Sequence, residues 1–584
     1  MSIAYLGQGG VYLATLLSCV LFLKPSRSVL LSVFFSLFLS LCMLLYAHVF
    51  DNFELLNVFL HSHTQKPLLY KIAGIWASHE GSILLLITII AFVFTIKKDD
   101  ALLLFQGAFL SLLLFFCLFW CQPFEVIDSP SLLEGLGMNP LLQSPLLAIH
   151  PTVLYLGYAF ASHTFLKTLY EVLFIKTGSK NYLKRDIVQT WFFISLGIVL
   201  GSLWAYQELG WGGYWFWDPV ETISLLPWLG YTISFHLCTL KKQESYQTLN
   251  QSLIFISYNL SFLGIVFVRS GLLNSVHSFA FDPQKGIGLF SLYMLLTIVM
   301  VSSLFKKGSF QQDQKEIFKK QKHLFLGMST LFLFLSCLLF TTIFPVILSF
   351  FDHSISISPI FYNKLFSVVA LPVLWLMFLS TPLRKQYYKS IFLLSTFCTI
   401  FVYTMTSFKD FLNLGVFFCL LLGLFSTTLH LYKFKKLTKQ TFGHLGVYIL
   451  GFGIFGNAYF SQSYILYIKE KEELTQNSQR FKLEKVIEGI GPNYSFQEAH
   501  LFINDTVTTP QRRTFLQQES TYHKISTKNF GFLHQLYVHM GQKLEENKWS
   551  FQVHVQKYIY LILVGALLII FSLSKALWGK KDTG

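Results

Sequence analysis

Apolar runs of about 20 residues, separated by short polar or basic stretches, follow one another along most of the chain. Each run is long enough for a helix to cross a hydrocarbon core, and together they predict about fifteen membrane helices. Their starts fall near Gln8, Ser28, Ile75, Ala101, His150, Ile187, Ile223, Ser252, Ile287, Leu324, Lys364, Ser390, Phe411, Phe442 and Lys557. The pattern changes once. Between 461 and 556 the long runs stop and a two-residue alternation takes over: Phe481 with Leu483, Leu501 with Ile503, then Trp549, Phe551, Val553 and Val555. That period belongs to half-buried strands, and "GPNY" at 491–494 reads as a turn between two of them. The expected fold is an all-α polytopic membrane protein with a small β-rich domain before its last helix. Residues 1–460 form the helical core, 461–556 the β-rich domain, and 557–584 the last helix and tail.

Composition sharpens this picture. With 53% hydrophobic and 13% charged residues among 584, the chain lies outside the range of soluble globular proteins. A net charge of +15 could signal nucleic acid, but the basic residues recur in every second loop: Lys24/Arg27, Lys97/Lys98, 176–185, Lys241/Lys242, 306–322, 384–389, 433–439 and 575–581. Short basic loops stay in the cytoplasm, so the charge is topological and no nucleic-acid partner is expected. The expected location is a bacterial inner membrane, N-terminus periplasmic and C-terminus cytoplasmic. Residues 1–10 carry no basic residue, so the first run reads as a retained span rather than a cleaved signal. The eight cysteines sit almost entirely in apolar runs without a CxxC pair, as small core residues rather than a disulfide or zinc framework.

The poorly charged loops on the outer side are where chemistry is expected. One of them, 206–222, contains "GWGGYWFWDPVE" at 210–221, and Trp204, Tyr206, Trp211, Tyr214, Trp215, Phe216, Trp217 and Trp228 fall within 25 positions. Any membrane protein carries an interfacial aromatic belt, but this density exceeds one. With Gly210, Gly212 and Gly213 flattening the backbone, the loop reads as a surface for a broad apolar disc with polar edges. A porphyrin fits that description; a sugar platform also would, with more carboxylates and amides than are present.

An iron porphyrin needs axial ligands, usually imidazole. His150 in "LLAIHPTVLYLGYA" and His277 in "VRSGLLNSVHSFAFDP" open to the same side as the tryptophans and bracket them in sequence. Either alone would read as an interfacial histidine with a satisfied hydrogen bond. Arg269 and Lys285 could meet propionates, or the arginine could be solvated or pair with Asp282. A second pair, His236 and His444, lies five residues inside the cytoplasmic boundary, at Lys241 and Lys439 respectively. Two imidazoles at one depth could hold a haem b between two helices, or each could bond a neighbouring helix separately. His79 and Glu80 could form an ion pair, a proton route or a bend. Asp218 and Glu221 are candidates for proton donation or for orienting the loop.

These motifs together resemble the CcmF family of bacterial cytochrome c maturation, the cytochrome c haem lyases. The resemblance runs along almost the whole chain. It is carried by "HTQKPLLYKIAGIWASHEGS", "NPLLQSPLLAIHP", "GSLWAYQELGWGGYWFWDPVE", "RSGLLNSVHSFAFDP", "GHLG" and the "GPNY" domain followed by a final span. Two positions depart from the family pattern: Tyr214 stands where tryptophan is usual and Thr222 where asparagine is usual. The resemblance implies that His150 and His277 flank an incoming haem and that His236 and His444 ligate an internal haem b. It implies thioether formation between haem and apocytochrome c, with Trp211, Tyr214, Trp215, Trp217, Asp218 and Arg269 around the substrate haem. It implies as partners a periplasmic haem chaperone, a thioreductive subunit presenting apocytochrome c, the apocytochrome itself and a quinol as electron donor, all in a lipid membrane. A haem transporter or a membrane haem-b electron carrier would share some of these features. The extra spans, second histidine pair and outer domain favour the lyase.

Overall fold

The computed structural model describes residues 2–127, 134–175, 182–240, 246–273, 275, 282–306, 321–405, 410–434, 439–515, 521–530, 533–544 and 547–574. Most of these residues are helical. The chain begins with α1 (Ser2–Leu23), α2 (Arg27–Val49), the short α3 (Leu56–His61) and α4 (Leu68–Ala77), then α5 (His79–Lys97) and α6 (Leu103–Phe116). The site helices follow: α7 (Pro145–Phe174), α8 (Tyr182–Glu208), α9 (Pro219–Leu237), α10 (Gln247–Ser270) and α11 (Pro283–Lys306). The remainder are α12 (Lys322–Ser349), α13 (Pro359–Leu379), α14 (Lys385–Met405), α15 (Phe411–Phe434), α16 (Lys439–Phe460) and, after the strands, α17 (Ile559–Phe571). Among the described residues, ten helices are long and apolar enough to cross a membrane. Their outward faces carry large exposed apolar side chains, such as Phe35 and Leu39 on α2, Leu333 and Phe340 on α12 and Phe397 and Phe401 on α14, as lipid contact requires.

Where the sequence predicts one span from Ile75, the chain makes two helices. Ser78 ends α4 and caps α5, its hydroxyl accepting from the Gly81 amide at 3.0 Å. All eight cysteines are free thiols, and four of them are buried.

The helices pack into one bundle, in which α7 and α8 form a close hairpin and α8 leans on α9. At the end of this bundle where α8 begins, Asp186 of α8 pairs with Lys97 of α5 and with Lys167 of α7 (2.8 Å), and His163 of α7 meets Asp99 at 3.1 Å. Charge thus ties three helices together at that end. The opposite end carries the β-rich domain.

That domain is a β-sandwich inserted between α16 and α17. Its strands run β1 (Gln462–Lys469), β2 (Glu473–Gln476), β3 (Gln479–Ile490), β4 (Tyr494–Ile503), β5 (Thr506–Thr508), β6 (Gln511–Phe515), β7 (Thr521–Lys524), β8 (Ser526–Phe530), β9 (His534–Lys543) and β10 (Lys548–Lys557). One sheet has the order β1-β10-β9-β8; the other has β2-β3-β4-β6-β7, with β5 beside β4. The alternating residues do what their period predicts: Phe481, Leu483, Leu501, Ile503, Trp549, Phe551 and Val553 all face the core between the sheets. "GPNY" makes the β3–β4 turn, the Gly491 amide donating to the Tyr494 carbonyl at 2.7 Å. Strands β1 and β10 pair antiparallel from Gln462↔Val555 to Lys469↔Lys548, so the sandwich stands on a two-stranded base that continues into two packed helices. At the junction Asn457 of α16 donates to Gln556 Oε1 (2.5 Å) and to the Lys557 carbonyl (3.2 Å).

Candidate functional site

The aromatic loop is shorter than its apolar flanks suggest, because α8 continues to Glu208 and α9 begins at Pro219. Local chemistry sets the second boundary. Asp218 is the N-cap, its carboxylate accepting from the Val220 amide at 2.9 Å, and Pro219 takes the first helical position, where no amide is needed. Glu221 reaches back to accept from the amides of Asp218 (3.1 Å) and Phe216 (3.0 Å), completing a capping box that extends into the loop. Ser275, two residues before His277 in sequence, donates to Asp218 Oδ2 at 2.6 Å. His277 itself lies outside the described residues.

Underneath the loop lies the sandwich. Gly210 and Gly212 adopt φ of +74° and +75°, a conformation that disfavours any side chain, and a Cβ at either would also meet a sandwich histidine: His539 at 3.1 Å from 210, His554 at 3.0 Å from 212. Gln556 donates to the Gly212 carbonyl at 2.5 Å. Tyr206 and Glu208, at the end of α8, bond to Gln535 and Tyr522 of the sandwich. Tyr214 packs on Tyr206 (ring centroids 4.5 Å), which packs on Tyr537 (4.9 Å). Burial beside Tyr560 pushes the Tyr214 hydroxyl up to about 12, so it stays a neutral donor.

The eight rings counted in the sequence divide into two sets. Trp204 and Tyr206 are buried, and Trp228 packs inside the α8–α9 interface. Trp211, Tyr214, Trp215, Phe216 and Trp217 form the other set, all half-exposed on the loop. Trp217 has φ +58°, which costs a non-glycine residue about 1–2 kcal/mol. It is held there by α13: its indole N–H donates to Asn363 Oδ1 at 2.8 Å and its ring stacks on Tyr362 (5.4 Å, 16°). Trp215 meets Trp217 edge to face (5.8 Å, 87°), and its indole N–H is buried without a hydrogen-bond partner among the described residues.

His150 lies near the start of α7 with its ring against α8. Nδ1 is 2.9 Å from the Gly197 carbonyl; since a carbonyl only accepts, Nδ1 carries the proton and Nε2 the lone pair. Gly201 makes the room, for a Cβ there would stand 2.7 Å from the imidazole Cε1. Arg269 is buried, donating from Nη1 to the His79 carbonyl (3.0 Å) and Ser82 Oγ (2.8 Å) and from Nη2 to Tyr155 (2.8 Å). Lys285 pairs with Glu80 at 2.6 Å and Asp282 at 3.1 Å.

His236 is the second-last residue of α9, and His444 lies in the second turn of α16, both toward the end of the bundle away from the sandwich. His236 Nδ1 donates to the Thr232 carbonyl at 2.8 Å, which again leaves the lone pair on Nε2. His444 makes no hydrogen bond among the described residues, and the two imidazoles are near enough for their charges to interact. Both keep accessible surface although protein surrounds them. The main neighbours of α16 are α15 and α17, and those of α9 are α8, α10 and α12, so neither helix is the other's chief packing partner. Two imidazoles on separate helix pairs, both toward the same end of the bundle, are a donor set that suits a six-coordinate haem iron.

The sequence reading misses the underside of the loop. His523, His539 and His554 gather there, His523 and His539 with ring centroids 4.7 Å apart. Burial holds all three below the usual imidazole range, His539 at about 4 with its two neighbours adding to the effect. A signal exists for His554: in β10 it alternates with the inward Val553 and Val555, so it had to face out.

Comparison with known proteins agrees with this architecture. Residues 76–273 match the family model described as cytochrome C assembly protein, and residues 459–557 that described as CcmF C-terminal beta-sandwich. Over 93% of its length the chain is 29% identical to cytochrome c-type biogenesis protein CcmF of Haemophilus influenzae, covering 91% of that protein. It is 28% identical, with the same coverage of both chains, to cytochrome c-type biogenesis protein NrfE of the same organism. It is 27% identical to CcmF of Escherichia coli over 90% of this chain and 87% of that one. A solved structure, "Cytochrome c Heme Lyase CcmF", superposes with a TM-score of 0.80 at 18% identity, covering 99% of this chain and 98% of the other, which establishes the shared fold. A helical membrane bundle whose sandwich underlies a tryptophan-rich loop is thus the architecture of a cytochrome c assembly protein. Within that class the chain belongs to the CcmF family.

Proposed function

We propose that this chain holds haem at the tryptophan loop, on the periplasmic side of a bacterial inner membrane, and promotes its covalent attachment to apocytochrome c. One observation carries the reading: five half-exposed rings stand on a loop clamped from below by the sandwich, with His150 fixed in one tautomer near the same end of the bundle. The sandwich below and α13 beside it hold the rings in fixed places, so the loop offers a flat ligand a preformed aromatic surface instead of a mobile one. His150 offers Nε2 to iron, and His277 supplies the opposite ligand. The indole N–H of Trp215, without a partner among the described residues, suits a polar edge such as a propionate. Arg269 acts from behind, fixing the first turn of α5 rather than meeting solvent.

The chemistry is addition of the two CxxCH thiols of the apocytochrome across the haem vinyl groups. Each addition forms one C–S bond and places one proton on the neighbouring carbon, with no net oxidation. The chain needs no nucleophile of its own; it supplies position. Asp218 and Glu221 are engaged in the helix cap and serve by shaping the loop. A periplasmic chaperone delivers haem and a thioreductive subunit presents the apocytochrome. His236 and His444 would hold an internal haem b, which supplies a one-electron centre when bound, drawing on a membrane quinol.

The test is complementation of a strain lacking this gene, scored for covalently haem-stained cytochrome c and for the b-type absorption of the purified protein. His150→Ala and His277→Ala should abolish cytochrome c maturation and keep the b-type absorption; His236→Ala and His444→Ala should lose that absorption while the protein still inserts. Normal cytochrome c in both members of the first pair would sink the loop reading in favour of an electron carrier. An unchanged spectrum in both members of the second pair would sink the internal site.

A further inference from the structure

Between His236 and His150 lies an aromatic pair that neither histidine touches directly. Trp191 of α8 and Trp228 of α9 have ring centroids 6.0 Å apart at 30°. Trp191 Nε1 donates to Thr232 Oγ1 at 2.8 Å, and Thr232 Oγ1 donates to the Trp228 carbonyl at 2.7 Å. Trp228 Nε1 donates to Ser195 Oγ at 2.8 Å, and Ser195 Oγ donates to the Trp191 carbonyl at 2.7 Å. The four residues close a ring of hydrogen bonds across the α8–α9 interface. Apolar packing needs no such ring, since leucines would fill the volume without two buried N–H groups to satisfy.

The ring is joined to both histidine sites. On α9 the Thr232 carbonyl accepts the His236 Nδ1 proton at 2.8 Å. On α8 the Gly197 carbonyl, two residues beyond Ser195, accepts the His150 Nδ1 proton at 2.9 Å. Measured along the helices, four residues of α9 (His236 to Thr232) and six of α8 (Trp191 to Gly197) separate the two imidazole levels, or about 15 Å at the α-helical rise. The indoles occupy the middle of that interval.

We infer that Trp191 and Trp228 form the electron bridge between the His236/His444 site and the haem held by His150. This rests on the function proposed above. One electron leaves a ferrous iron bound by His236 and His444, which becomes ferric, and arrives at the ferric substrate haem, which becomes ferrous; no proton moves with it. A membrane quinol restores the donor, one quinol serving two substrate haems. The indole π-systems offer accessible orbitals across a span that would otherwise be aliphatic, and the hydrogen bonds replace through-space gaps by short contacts. Fixed rings keep that coupling constant.

The experiment uses the full-length detergent-purified protein with its resident haem, reduced and freed of reductant, then mixed rapidly with ferric haem while the b-type absorption is followed. Trp191→Leu with Trp228→Leu should slow oxidation by an order of magnitude or more, and Trp191→Phe with Trp228→Phe, which keeps the rings but loses both indole N–H donors, should slow it only severalfold. Thr232→Val, which removes the shared hydroxyl, should slow it severalfold, and Thr232→Ser should not. The spectrum and midpoint potential of the resident haem should stay the same in every variant, which separates a conduit from a packing role. An unchanged rate in the double leucine variant, or slowing that follows a shifted potential, overturns the bridge alone. A wild-type protein with no b-type absorption overturns the functional reading and the bridge with it.

Discussion

Glu221 accepts two loop amides with one carboxylate oxygen, and Asp218 caps the same helix end, so two acidic residues fix where the aromatic loop ends. Removing such a cap typically costs about 1–2 kcal/mol. Glu221→Ala should therefore lower covalent cytochrome c yield while leaving the b-type spectrum of the purified protein intact, and Glu221→Gln, which keeps an acceptor oxygen, should restore most of the yield. Equal yields in the two variants would remove Glu221 from the loop's support. The signature was in plain view, as Asp218-Pro219-Val220-Glu221 is an N-cap, an N1 proline and a capping-box glutamate. Hydropathy placed the loop at 206–222 because it reads only where apolar runs stop; cap chemistry moves the start of α9 to Pro219 and leaves Tyr206 inside α8. Ring density likewise could not tell the five loop aromatics from Trp204 and Trp228, whose partners lie on other helices.

At the scale of elements, β9 and β10 clamp the loop through imidazoles packed on glycine backbone. His539 has a folded-state value of about 4 against 6.5 in the unfolded chain, so between those limits the unfolded chain binds more protons. The clamp is thus fully stable above about pH 6.5 and weakens as pH falls toward 4. Thermal unfolding of the purified protein should show a falling midpoint across that window, and His539→Gln should flatten part of the fall; an identical slope in the variant would count against the clamp. A different kind of contact joins α16 to α17. A Cβ on Gly565 would meet the Leu450 amide nitrogen at 2.3 Å and the Gly446 carbonyl at 2.7 Å, so the two backbones touch. Gly565→Val should push α17 off α16, and because His444 is two residues before Gly446, the b-type absorption should be lost or broadened. Retention of the full spectrum would show that the helix pair does not position His444. The strands and helices themselves were legible, since periods of two and runs of twenty survive in a single sequence; the break at Ser78 shows only as the polar stretch "SHEGS" at 78–82, which admits a bend and equally an ion pair or a proton route.

Across the whole molecule, α9 separates the two proposed sites by its own length. Asp218 caps one end and His236 lies near the other, eighteen residues or about 27 Å along the helix, so damage at one end should leave the other functional. The basic loops predict that the sandwich end is periplasmic. Protease added to intact spheroplasts should cut within 461–556 and yield a protected fragment carrying α1–α16; cleavage seen only in inside-out vesicles would invert the orientation. What the sequence could not reveal at this scale is pairing between distant segments. Nothing local to "GWGGYWFWDPVE" says that a sandwich supports it, because the supporting residues belong to another part of the chain.

Gln556 and Gly212, joined by one hydrogen bond, are 344 residues apart. A ribosome emits the chain from its N-terminus, and early segments fold before late ones exist. The aromatic loop therefore emerges and waits, open beneath, through the synthesis of the eight described helices α9 to α16 and a complete sandwich, and gains its floor only as the last strand is laid down. A fully seated loop thus certifies that translation has passed β10: any ribosome that stalls or message that breaks earlier yields a membrane protein whose rings keep the hold of α13 and lack the floor of the sandwich.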